Sequence, residues 1–126
     1  MEELLIDLGE LEEVEKFFTS SALKIPVVHI GAAAVSFNKA CWSLLGEAIQ
    51  WFTTSEYVIG LQAKRGDKNA FSLHTDVKGC RIHTAYIPAV LRREKKIGIG
   101  YYRLYKYKNG FVFKRYEQIN PADYLN

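Results

Sequence analysis

Apolar and polar residues alternate in short runs over most of the chain, which is typical of β-strands that face a core on one side. Residues 26–31 carry β-branched side chains between a proline and a glycine, so they predict a strand. Residues 32–34 are three alanines that predict a turn, and residues 35–37 alternate again. This opening pattern therefore predicts two short strands joined by a tight connection.

A short helix and a hairpin are predicted next. Asn38 fits the N-cap position of the helix, because its side-chain oxygen can accept a hydrogen bond from a free backbone N–H, and Gly46 fits the C-terminal cap. Residues 39–45 between them form the predicted helix. Residues 48–53 and 57–63 are β-rich runs separated by a short polar break, which predicts a hairpin.

The same order of elements returns after a polar linker at residues 64–69. The predictions here are strands at 70–75 and 81–83 with a turn at 76–79, a helix at 85–94 after an N-cap at Thr84, and a hairpin at 101–107 and 111–116 that turns at Asn109-Gly110. Phe37 and Ile82 lie 45 positions apart, whereas Val58 and Val112 lie 54 apart. We interpret the two stretches as diverged copies of one strand–strand–helix–hairpin unit.

The chain opens with an acidic segment whose apolar residues fit one face of a helix. They recur at spacings of three and four: Leu4, Leu8, Leu11, Val14 and Phe18. The overall prediction is a single α+β, β-rich domain. It consists of an N-terminal acidic helix within residues 1–22, a first repeat at 23–65, a second repeat at 69–118 and a tail at 119–126.

The charges are divided unevenly along the chain, although the net charge is only +3. Residues 1–60 carry nine acids and three bases, whereas residues 61–126 carry five acids and fourteen bases. A basic half of this kind is compatible with an anionic partner and equally with solvated surfaces of both signs. No run of apolar residues is long enough to cross a membrane, no secretory signal precedes the domain, and there are only two cysteines. We therefore expect a cytoplasmic protein without a membrane partner.

The order of elements resembles the AbrB, MazE and MraZ superfamily of swapped-hairpin transcription factors. The resemblance spans residues 25–116 and is carried by the junction at residues 35–46, which ends in Leu45-Gly46, by the hairpin at 51–63, and by their counterparts from Arg81 onward. It implies two tandem units interleaved as a pseudo-twofold swapped-hairpin barrel, as a pseudo-dimeric monomer or a homodimer. The turn at residues 32–34 lacks the basic residues that this superfamily uses against DNA.

The resemblance further implies a non-catalytic, DNA-binding transcription regulator. Its members contact double-stranded DNA with basic residues of the turn, the second strand and the helix. The corresponding positions here are Lys39, Lys78, Arg81, Arg92, Arg93, Lys95 and Lys96. Such side chains neutralise phosphates, and an arginine can also read a guanine edge. For Arg92 and Arg93, an interaction with the helix dipole is an equally good explanation.

The alternative function is a protein-interaction module, such as an antitoxin-like or mobile-element protein that neutralises a host factor, with the acidic helix as its docking element. An enzyme is the least favoured class, because no catalytic motif is present. His29, His74 and His83 show no metal-ligand spacing with Cys41 or Cys80, and Cys41 fits a buried apolar position. We therefore expect neither a cofactor nor a metal.

Overall fold

The computed structural model describes residues 23–76, 80–84 and 86–124, with Thr84 described by its backbone alone. The predicted N-terminal helix, the predicted turn at residues 76–79 apart from Asp76, and the N-cap role of the Thr84 side chain lie outside this part of the chain. The strands are β1 (Val27–Ile30), β2 (Ala34–Phe37), β3 (Ala48–Thr53), β4 (Tyr57–Ala63), β5 (Ala70–Ser72), β6 (His74–Thr75), β7 (Arg81–Thr84), β8 (Gly100–Arg103), β9 (Tyr105–Tyr107) and β10 (Gly110–Lys114).

Little of the described chain is helical. A 3-10 helix (Lys39–Leu44) follows β2, the α-helix α1 (Tyr86–Ala89) continues as a π-helical turn (Val90–Glu94), and a second 3-10 helix (Pro121–Tyr124) closes the described chain. Apart from the last 3-10 helix, which falls in the predicted tail, these elements lie in the regions where strands and helices were predicted. The β-rich α+β prediction is confirmed at the level of two antiparallel sheets with short helices.

The ten described strands form two five-stranded antiparallel sheets. Sheet A has the order β6-β7-β2-β1-β8, and sheet B has the order β5-β3-β4-β10-β9. Each strand of the first stretch pairs with a strand of the second, because β1 pairs with β8, β2 with β7, β3 with β5 and β4 with β10. The two stretches of sequence therefore contribute strands to both sheets and pair with each other twice in each sheet.

The core lies between the inward faces of the two sheets. Sheet A contributes Val28, Val35 and Phe37, and sheet B contributes Phe111 and Phe113, all of them almost fully buried. The rings of Phe37 and Phe111 meet edge to face with centroids 5.5 Å apart, which joins the sheets directly. Each such side chain contributes about 1.5–3 kcal/mol by leaving water.

Asn38 occupies the start of the 3-10 helix, but its side chain makes no capping hydrogen bond. Its Oδ1 accepts from the Val27 N–H at 3.0 Å, and its Nδ2 donates to the Ile25 carbonyl at 2.8 Å. The prediction that the Asn38 side chain caps the helix is therefore wrong, because this side-chain amide bonds to residues 25 and 27 instead. Gly46 is likewise not the C-cap, since Leu45 ends this helix in an extended conformation.

Replacing Asn38 with alanine should destabilise the protein by about 2 kcal/mol, because one buried and one partly buried backbone group lose their partners at once. Urea unfolding followed by tryptophan fluorescence would measure the change. Ser43→Ala, on the exposed side of the same helix, is the control, and we expect it to change the free energy of unfolding by less than about 0.5 kcal/mol. An equal effect of both substitutions would show that the Asn38 contacts do not stabilise the fold.

The alignment of the two stretches requires a correction. Ile82 pairs with Ser36 on the outer face of sheet A, whereas Phe37 points into the core. A shift of one residue reverses the face of a strand, so the spacing of 45 cannot be structural. A spacing of 46 matches buried residues with one another: Phe37 with His83, Cys41 with Ile87, and Leu45 with Leu91.

The last hairpin also turns one residue earlier than predicted. Tyr107 pairs with Gly110, so Lys108 and Asn109 form a two-residue loop, with Lys108 at φ 51. Gly110 is instead the first residue of β10, where its Cα lies against the backbone of Gly60. The glycine is therefore required for close contact between β4 and β10 rather than for the turn.

Candidate nucleic-acid interface

Four of the predicted DNA-contacting bases lie at the end of the α1 helical region. Ile87 and Leu91 are buried and anchor this region to the core. Arg93, Lys95 and Lys96 are exposed, and Arg92 is partly exposed. We call Arg92, Arg93, Lys95 and Lys96 the basic cluster.

Backbone hydrogen bonds after the helix form a tight turn that keeps the residues of the basic cluster together. The N–H of Ile97 donates to the Leu91 carbonyl at 3.0 Å, and the N–H of Lys95 donates to the Val90 carbonyl at 3.1 Å. Lys96 takes a left-handed conformation at φ 60, the position at which glycine usually terminates a helix. Because Ile97 is buried, the residues before it are held at the surface.

Arg92 connects the basic cluster to the turn between β1 and β2. Its Nη1 donates to the Ala32 carbonyl at 3.1 Å. Ala32 and Ala33 are both exposed, and the N–H of Gly31 closes the turn on the Ala34 carbonyl at 2.9 Å. A turn of the first stretch, which has no basic side chain of its own, therefore lies beside an arginine of the second stretch.

The electrostatic environment of the basic cluster favours an anion. Within residues 23–76, 80–84 and 86–124, the ion pairs are Arg65–Glu47 and Lys114–Glu117, and neither involves the cluster. Glu94 is the one acid among residues 92–96. Phosphates that approach four closely spaced bases would release bound counterions, which makes such binding depend on salt.

Arg115 adds a second connection that sequence reasoning missed. Its guanidinium donates to the carbonyls of Thr54 and Lys95, which joins the tip of the β3–β4 hairpin to the basic cluster. In the sequence, Arg115 belongs with Lys106, Lys108 and Lys114 to the bases of the last hairpin, which predict a solvated sheet face or a protected edge. No local signal distinguishes it, because both acceptors are distant in sequence.

Arg81 does not join the basic cluster. It pairs with Phe37, and paired residues of antiparallel strands point to the same face, which here is the core face of sheet A. Its Nη2 donates to the Gly46 carbonyl at 3.2 Å, and its Nε is buried without a protein partner. This geometry gives Arg81 an internal contact rather than the exposed position that a base-reading side chain requires.

The two remaining predicted residues are also separate from the cluster. Lys39 is exposed at the first position of its 3-10 helix, and its Nζ lies 5.7 Å from the ring centroid of Trp42. A cation–π contact of this kind contributes about 0.5–1 kcal/mol at an exposed site. Lys78 lies outside the described residues. The structure therefore groups four of the seven predicted residues.

The buried titratable groups are engaged in structural contacts. Burial lowers the pKa of His83 to about 4. The Trp51 Nε1–H donates to His83 Nε2 at 3.1 Å, so His83 Nδ1 carries the proton and donates to the Ser72 carbonyl at 3.1 Å. Burial also raises the pKa of the Cys41 thiol to about 12, and its Sγ lies 3.0 Å from Asn38 Oδ1. At neutral pH this thiol is not ionised and is therefore a poor nucleophile.

The described residues contain neither a metal-binding cluster nor a membrane-spanning helix. No group of three or more histidine, cysteine or acidic side chains in them is arranged to hold a metal ion. No helix in the same residues has the length and apolar character needed to cross a bilayer. His29 is half-buried, with its ring centroid 4.4 Å from that of Tyr101, and burial lowers its pKa.

Comparison with known proteins gives no relative. The chain matches no model of a known protein family, and neither a search of curated proteins nor a search of solved structures finds a significant match.

Proposed function

We propose that this protein is a non-catalytic, DNA-binding regulator of the AbrB-like type. Its two stretches would exchange strands as a pseudo-twofold swapped-hairpin barrel within one chain. The observation that carries the proposal is the strand pairing: each of β1 to β4 pairs with a strand of the second stretch. The antiparallel pairs β2–β7 and β4–β10 would lie on the pseudo-twofold axis.

The basic cluster supplies the proposed DNA contact. In the AbrB-like architecture, basic residues of the turn and the helix contact DNA, but the β1–β2 turn has none of its own. The hydrogen bond from Arg92 to the Ala32 carbonyl places an arginine of the second stretch at that turn. Strand exchange therefore offers a physical route by which one repeat provides the charge that the other lacks. Arg93, Lys95 and Lys96 extend the same positive surface.

The Arg92→Ala, Arg93→Ala double variant should bind duplex DNA about tenfold more weakly than the parent at ~50 mM salt, and the slope of log affinity against log salt should fall by about 2. Two lost phosphate contacts account for both changes. Fluorescence anisotropy with a pool of random-sequence duplexes over a salt series would measure them. Thermal melting of the variant would show whether the fold survives the loss of the Arg92–Ala32 contact.

A matched control removes two positive charges from the linker at residues 64–69, away from the basic cluster in the sequence. Lys64→Ala, Lys68→Ala changes two exposed bases of the linker, and we expect its affinity to stay within about twofold of the parent. If both double variants lose affinity equally, the basic cluster is not the binding surface. If the parent binds no duplex at low salt, the DNA-binding proposal fails and the protein-interaction module becomes the better hypothesis.

A further inference from the structure

The outer face of sheet B carries apolar and aromatic side chains where a solvated sheet would carry polar ones. The strand register aligns one residue from each of four adjacent strands: Phe52 pairs with Ile59, Ile59 with Val112, and Val112 with Tyr105. Phe52 is 48% exposed and Tyr105 is 51% exposed. We call this row, together with the neighbouring Leu61 and Tyr107, the outer patch.

The outer patch is continuous and does not belong to the core. The opposite face of the same strands carries Val58, Phe111 and Phe113, which are almost fully buried between the sheets. Sheet B is therefore apolar on both faces, a property of sheets that are covered on both sides. A contiguous exposed patch of large apolar side chains usually marks an interaction surface.

Basic side chains border the outer patch. The Arg103 guanidinium lies 5.3 Å from the ring centroid of Tyr105, and Lys108 Nζ lies 5.4 Å from that of Tyr107. Lys114 pairs with Tyr57 on the same face, but its Nζ already lies 3.6 Å from Glu117 Oε1, so Arg103 and Lys108 are the relevant bases. A segment that covers this face would therefore need apolar residues on one side and acidic residues along its margins.

Residues 1–22 have that composition. They carry seven acids and one base, whereas residues 23–126 carry seven acids and sixteen bases. The segment thus has a charge of −6 against +9 for the rest of the chain. Its apolar residues Leu4, Leu8, Leu11, Val14 and Phe18 recur at helical spacing. A helix over residues 10–18 would be about 14 Å long, close to the width of four adjacent strands.

The described chain before β1 passes close to an edge of sheet B. The Pro26 carbonyl accepts from the N–H of Leu104, the residue between β8 and β9. Because β1 runs antiparallel to β8, the chain before Val27 extends in the direction of β9. β9 is an edge strand of sheet B and carries Tyr105 of the outer patch. Residues 19–22 can span about 13 Å, which is more than two strand spacings of a sheet.

We propose that residues 1–22 dock in cis on the outer patch, with the apolar side of the segment against Phe52, Ile59 and Val112 and its acids near Arg103 and Lys108. The docked segment buries the apolar face and neutralises the basic border. A second copy of the folded domain is a poorer occupant, because two surfaces with the same basic border repel each other. This proposal is independent of DNA binding by the basic cluster.

A thiol reporter in the outer patch tests the docking in the full chain. Ile59→Cys in a Cys80→Ser background places one accessible thiol in the patch, since Cys41 is buried. We expect an aromatic disulfide reagent to modify Cys at position 59 at least about tenfold faster when Leu11→Asp, Val14→Asp is also present, because the weakened segment exposes the patch more often. The two aspartates lie in the segment, so the folded core is not altered directly.

The control reporter is Ser55→Cys, at the exposed tip of the β3–β4 hairpin. Its modification rate should be the same with and without Leu11→Asp, Val14→Asp. Protection at position 59 that is independent of protein concentration supports docking within one chain. Equal rates at position 59 with the parent and the altered segment would overturn the proposal. Protection that disappears on dilution would also overturn it, because it would assign the outer patch to a second copy.

Discussion

Gly110→Ala should destabilise the protein by at least about 3 kcal/mol, near the upper end of what a single added methyl group can do. A Cβ at this position would lie 1.9 Å from the Gly60 carbonyl oxygen and 2.9 Å from Leu61 Cα. Both are backbone atoms, so no side-chain rotation can relieve the clash. The β4 and β10 backbones would have to separate, which weakens the central pairing of sheet B. The midpoint of urea unfolding measures the effect.

Gly66→Ala is the matched control for this substitution. Gly66 lies in the linker at φ 89, and a Cβ there would meet nothing within 4 Å. The expected cost is therefore only the left-handed backbone conformation, about 1 kcal/mol. If Gly110→Ala unfolds no more easily than Gly66→Ala, the close approach of β4 and β10 does not exist in solution.

Acidification should destabilise the fold through His83. Its pKa is about 4 in the folded protein, against a reference value of 6.5. Between these values the unfolded chain binds the extra proton and the folded protein does not, so stability falls as the pH falls. The contribution is fully present above pH 6.5. The expected loss from His83 is about 2 kcal/mol between pH 7.5 and 5, a range that avoids most carboxylate titration.

The physical cause of this pH dependence is the pair of contacts at the His83 ring. Protonated Nε2 can no longer accept from the Trp51 Nε1–H, and the charge would lie in the core. His83→Gln retains a donor and an acceptor but does not titrate, so its free energy of unfolding should change much less over the same range. Urea unfolding at several pH values compares the two proteins. Parallel pH dependence in both would assign the effect to other groups.

Local order was predictable for most of the described chain. The strands and the helices follow from alternation, from β-branched runs and from breaks at glycine and polar residues, all of which act over a few residues. The basic cluster was also recognisable, because four of its bases fall within five consecutive positions, 92–96. These features depend on neighbours in the chain and need no knowledge of distant contacts.

Strand faces were harder to predict. β4 has apolar residues at both odd and even positions, Tyr57, Ile59 and Leu61 on one face and Val58 on the other. Alternation indicates that a strand has two faces, but it does not decide which one is buried when both are apolar. This ambiguity explains why the outer patch was missed. The error of one residue in the alignment of the repeats has a different cause: in β7 the polar His83 faces the core and the apolar Ile82 faces outward.

The sequence by itself determined where strands and short helices form, how charge divides between residues 1–22 and the rest, and which bases crowd together after α1. Only the tertiary structure decided that Asn38 bonds to residues 25 and 27, that Arg81 points inward, and that Gly110 lies against Gly60. The physical reason is that those outcomes depend on pairing between strands tens of residues apart. Such pairing is selected by the packing of a whole core rather than by any local preference.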